Sequence, residues 1–97
     1  MKALRIHELA LREANLATVW YAERNPTVAR TFRDELLAGF SNAAAFPLRY
    51  PTYLHGTRRI LLRKFPYFVV FFDWQDEVYV VAVAHAKRRP GYWKGRV

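Results

Sequence analysis

Two apolar runs, Phe68–Trp74 and Val78–Ala84, are separated only by Gln75, Asp76 and Glu77, and neither has a wet face. A β-strand alternates its side chains between the two faces of a sheet, so a run that is apolar at nearly every position needs cover on both sides. The linker between the runs is a turn, and a connection this short makes neighbouring strands antiparallel. A third strand precedes them. Along Arg58–Lys64 the residues Arg59, Leu61 and Arg63 share one face while Arg58, Ile60, Leu62 and Lys64 share the other, and Phe65, Pro66 and Tyr67 form the next turn.

The cover comes from the N-terminal half. After a short alternating segment, Ala3–His7, that reads as an edge strand with His7 facing solvent, Glu8–Arg24 has helical periodicity. Ala10, Ala14, Ala17 and Tyr21 recur on one stripe, and Leu9, Leu16 and Trp20 widen it towards the core. Asn25 followed by Pro26 restarts a helix: Asn accepts from orphan N–H groups, and Pro suits the first helical position, where its missing N–H costs nothing. The second helix runs to about Ala45 and buries Ala29, Phe32, Leu36, Phe40 and Ala43. Pro47 and Pro51 then hold Leu48–Gly56 in a loop. The expected fold is α+β, in the order βααβββ: an antiparallel twisted sheet with a two-helix hairpin packed on one face, in a single domain over residues 1–97.

A helix hairpin shields only one face, yet the two apolar runs supply side chains to both. An exposed apolar face of that size marks an interface. A partner segment lying across it is therefore expected, with the alternative that the basic tail folds back and fills the space through Tyr92 and Trp93.

The 97 residues carry a formal charge of +8 and no cysteine. Residues 1–48 hold six basic and five acidic side chains, and residues 49–97 hold ten and three. The positive field thus belongs to the strand half, as expected where that half meets a nucleic acid or an acidic protein. Absent cysteine excludes disulfides and thiolate metal clusters and is compatible with a reducing, cytoplasmic home. His7, His55 and His85 fall on three separate elements, so no metal is expected, and with no glycine-rich phosphate loop no cofactor is expected either. Charges every few residues along Met1–Leu16 mean that no secretory leader is expected there, and no run reaches membrane length or forms a basic amphipathic membrane helix.

The layout, the string RRILLRKFPYFVVFF, the ending VAVAHAKRRPGYW, and the helix pair WYAERNP with FRDELLAGF resemble the RelE/ParE superfamily of toxins from bacterial type II toxin–antitoxin systems. The resemblance implies a growth-arresting toxin neutralised by a cognate antitoxin, with an acidic C-terminal segment, in a hetero-oligomer. It also implies one of two activities. RelE-like members cut messenger RNA on the ribosome, whereas ParE-like members act on DNA gyrase without a nuclease centre. Metal-free RNA cleavage would need proton-transfer groups and phosphate clamps, which His85, Tyr92, Arg59 and Arg63 are placed to supply. The lysine pair of the nucleases is replaced here mainly by arginine and Leu61, and arginine is too basic to exchange protons. That departure, with the RRPGYW tail, favours the ParE-like, plasmid-stabilisation branch. In the antitoxin complex Arg59, Arg63, Arg88 and Arg89 are expected to meet carboxylates, with Leu61, Phe71, Val81 and Trp93 in the apolar contact. A third reading is a basic nucleic-acid-binding protein without chemistry, which no recognised binding signature supports.

Overall fold

The structure, a computed structural model, describes Met1–Val97. The chain runs β1 (Ala3–Ile6), α1 (Glu8–Arg24), α2 (Pro26–Ala45), β2 (Arg58–Leu61), β3 (Tyr67–Trp74) and β4 (Glu77–His85). Asn25 ends α1 and caps α2, its side-chain oxygen accepting from the N–H groups of Thr27 and Val28 at 3.0 and 3.3 Å. His7 is partly buried rather than fully solvated, and its Nδ1 caps α1 by accepting from the Leu9 N–H.

The four strands form one sheet in the order β1-β4-β3-β2. Two tight turns make β2, β3 and β4 mutually antiparallel, as their connections require. The sheet is nevertheless mixed, because β1 lies parallel to β4, pairing Ala3 with Glu77 through to Ile6 with Val80. The physical reason is connectivity: the helix hairpin reverses the chain twice before β2 begins, and β2 and β4 run in the same direction. A register shift between Val70 and Phe71 leaves Val81 without a cross-strand partner, a bulge in β4. It explains why Val80 and Val83 both face the helices while Val81, Ala82 and Ala84 pack on the far side.

Two cores result. On the helix face, Phe32, Leu36 and Phe40 of α2 and the small Ala10, Ala14 and Ala17 of α1 pack on Ile60, Leu62, Val69, Phe71, Val78, Val80 and Val83. On the far face, Phe68, Val70, Val81, Ala82 and Ala84 lie beneath Trp93, which is 1 % exposed. Tyr53 and Tyr92 extend that cover.

The far face is therefore not left for a partner, as the strand pattern suggested: the molecule's own end plugs it. Three expected partner contacts fall with that expectation. Phe71 is buried in the helix-side core, Val81 is buried under the tail, and Trp93 is the plug itself. Leu9, Leu16 and Trp20 also depart from the reading: Ala10, Ala14 and Ala17, with Tyr21 packed against Phe32, Phe65 and Tyr67, seat α1 on the core and leave these larger side chains on the surface.

Candidate functional site

The C-terminal tail is tied to the body by one carboxylate. Glu13, on α1, accepts from the Tyr92 hydroxyl at 2.7 Å, from Arg96 Nη1 and Nη2 at 2.9 and 3.1 Å, from Arg88 Nη1 at 3.3 Å, and from the Val83 N–H at 3.0 Å. Arg96 also donates to the carbonyl of the bulge residue Val81 at 3.1 Å. The Tyr92 ring has the Arg88 guanidinium 3.6 Å and the Arg96 guanidinium 5.2 Å from its centroid. Burial pushes the Tyr92 phenol well above its ordinary pKa, and its hydrogen bond to Glu13 pushes it further in the same direction. No buried side-chain nitrogen or oxygen in the molecule lacks a partner.

Glu13 was not foreseen. It lies three residues after Ala10 and four before Ala17, so it borders the alanine stripe of a core-facing helix, and an acid in that position is the signal that was available. Gly91 completes the clasp with φ of +79°, and a Cβ there would stand 3.2 Å from Nε2 of His55, whose ring meets Trp93 edge-on.

The other candidates are dispersed. His85 is on the helix face, where its ring packs edge-on against Tyr67 and its Nδ1 accepts from the Lys87 N–H at 3.0 Å. Arg59 is on the far face, its guanidinium 4.2 Å from the Tyr53 ring and 5.2 Å from Phe68. Arg63 does not continue the strand, because β2 stops at Leu61; it belongs to the turn, where its N–H and that of Lys64 donate to Glu35 of α2. Leu61 and Arg89 are exposed, while Arg88 is exposed but committed to Glu13. The arginines thus do not rim a single hollow. Between α1 and the end of β4 lies a groove of about 480 Å³, bordered by Glu13 and Trp20 of α1 on one side and by His85 and Arg88 on the other. The chain forms no group of three or more metal-ligating side chains, and no helix is long and apolar enough to cross a membrane.

A helix hairpin laid over a four-stranded sheet, with a basic aromatic tail locked onto its other face, defines a small α+β protein of the RelE/ParE type. A model of the family described as the ParE toxin of the type II toxin–antitoxin system, parDE, matches residues 4–90. The chain belongs to this ParE toxin family, and an antitoxin is its partner. A solved structure described as the chromosomal ParDE TA system from P. aeruginosa has the same fold, with a TM-score of 0.77 and 14 % identity over 90 % of this chain and 98 % of that one. No curated protein matches the chain in sequence.

Proposed function

We propose that this ParE-family toxin acts on DNA gyrase in the cytoplasm without cutting RNA, and that an acidic segment of its antitoxin neutralises it within a hetero-oligomer. One observation carries the gyrase reading. The four side chains that RelE-like chemistry would recruit do not gather at one site: Arg59 is on the far face and Arg63 in the β2–β3 turn, away from His85 on the helix face, and the Tyr92 hydroxyl is committed to Glu13, which shares the groove with His85. Metal-free RNA cleavage needs the cations that hold the phosphate and the proton-transfer groups around one substrate. A phenol held protonated by burial and by a carboxylate is also a poor proton donor. Leu61, Arg59, Arg63 and Arg89 remain accessible to a macromolecule.

The test runs two assays on the same preparation, gyrase supercoiling and message-end mapping on translating ribosomes. Inhibited supercoiling with intact message is the expected result. Message cleavage that disappears in His85→Ala would overturn the proposal in favour of the RelE-like activity.

A further inference from the structure

We propose that one end of the sheet, formed by Arg63 and Lys64 of the β2–β3 turn and by Lys87 and Arg89 after β4, grips the phosphate backbone of duplex DNA without reading its sequence. This deepens the gyrase reading, on which the identity of the DNA as the segment held by that enzyme rests; the surface itself follows from the placement of charge.

Charge is sorted along the strands. The acids of residues 49–97 are Asp73, Asp76 and Glu77, all at the β3–β4 hairpin. Lys2 neutralises Asp73 there at 3.1 Å, and Arg5 neutralises Glu77 at 2.9 Å. The opposite end receives only cations from this half of the chain, Arg63 and Lys64 from the turn and Lys87, Arg88 and Arg89 from the segment after β4. The ladder sets these segments side by side: Tyr67 pairs with His85, and the Ala86 N–H donates to the Pro66 carbonyl at 2.8 Å. The ends of β2, β3 and β4 span two strand spacings, about 10 Å, which matches about three nucleotides along one DNA strand.

These cations are uncommitted. The ion pairs of the molecule use Lys2, Arg5, Arg88 and Arg96, whereas Arg63, Lys64, Lys87 and Arg89 are exposed and take part in none. The acids around them compete little. Glu13 is taken by Arg88, Arg96 and Tyr92. Glu35 accepts from the backbone N–H groups of Arg63 and Lys64 at 2.7 and 3.3 Å, which leaves Asp34 as the one further acid lining their hollow.

The backbone beneath them is pinned. Besides the Glu35 clamp, the Phe65 ring packs inward at 5.0 Å from Tyr21 and 5.1 Å from Phe32. After β4, the Lys87 N–H donates to His85 Nδ1 and the Arg88 N–H to the His85 carbonyl, both at 3.0 Å. Phosphate bound here therefore has to order side chains only, on a frame that is already set.

The surroundings select duplex phosphate over other anions. Neither segment exposes a large apolar side chain. An acidic peptide needs such anchors to bind well, and a single strand needs aromatic platforms for its bases. Contacts to the phosphates of a duplex need neither, and they carry no sequence information.

The experiment titrates the full-length toxin against a fluorescein-labelled, mixed-sequence DNA duplex by anisotropy, over a series of salt concentrations. Lys64→Ala, Lys87→Ala and Arg89→Ala are exposed changes whose folding is checked by thermal melts. Each is expected to make the plot of log affinity against log salt shallower by about 0.9, equally on a second duplex of different sequence. Arg49→Ala removes the same charge at the hairpin end, beside Lys2 and Asp73, and is expected to leave the slope unchanged. Equal losses in all four variants, as general attraction to a basic chain would give, overturn the surface, and so does tighter binding to a single-stranded RNA of the same length. In supercoiling assays Lys87→Ala with Arg89→Ala is expected to raise the toxin needed for half inhibition severalfold while antitoxin affinity is kept. Unchanged inhibition overturns the use of this end against gyrase-held DNA. Antitoxin affinity lost with duplex binding intact assigns the cations to the antitoxin and overturns the surface as well. A wild-type toxin that binds the duplex through these cations yet leaves supercoiling untouched would instead refute gyrase as the target, with the phosphate surface standing.

Discussion

Replacing Glu13 by alanine is the sharpest perturbation of the tail. Glu13 and Arg96 each retain 14 % of their side-chain exposure, so the pair is largely withdrawn from water. Removing the carboxylate leaves a nearly buried guanidinium, the Tyr92 hydroxyl and the Val83 N–H without their acceptor. Breaking a buried ion pair from one side costs about 3–5 kcal/mol. Arg96 keeps the Val81 carbonyl and some solvent, which places the expected loss near the low end, about 3 kcal/mol. For a domain of this size that lowers the melting temperature by roughly 12–20 °C. Arg88→Ala removes only the long, half-exposed arm of the same cluster, and a loss of at most about 1 kcal/mol is expected. Denaturant titration measures both. Tryptophan emission reports where the stability went, since Trp20 and Trp74 are already exposed and Trp93 alone is buried. In Glu13→Ala the emission is expected to shift to the red under native conditions, as the tail lifts. A variant that loses less than about 1 kcal/mol and keeps its blue emission would show that Trp93 packing holds the tail without the carboxylate.

Two further outcomes follow from the same clasp. Burial raises the phenol pKa values of Tyr21, Tyr67 and Tyr92 in the folded state, whereas the unfolded chain ionises near pH 10. The stability these groups contribute is present below about pH 10 and lost above it. Melts from pH 9 to 11.5, about that midpoint, are expected to show a decline whose slope is reduced in Tyr92→Phe, by at most about 1.4 kcal/mol per pH unit and less where the ring is solvated; parallel slopes would refute a buried phenol. Gly91→Ala places a side chain at a φ of +79° against His55 and is expected to cost about 1–3 kcal/mol with a red shift of Trp93 emission, while unchanged stability would refute the left-handed turn.

Local chemistry was legible in the chain. Asn25–Pro26 marks a helix restart through groups one to three residues apart, the two helical stripes recur within a few turns, and short turns dictate antiparallel strands, so the helices, the three-stranded core of the sheet and the family likeness follow from the sequence. Decisions between distant segments did not. Whether Trp93 covers the far face or leaves it to a partner depends on Glu13 catching Arg96 and Tyr92 from 83 and 79 residues away, and no local pattern encodes that meeting. The same holds for the arginines, which share a sign and a half of the chain but are distributed by the sheet over opposite faces. Periodicity also overstated the buried width of α1, because three alanines let the helix sit close on β4 and tip Leu16 and Trp20 outward. Capping and turn preferences act over a few bonds and can be read in one dimension. Which face is covered, and by what, is settled only when surfaces from opposite ends of the chain compete for the same water-free space.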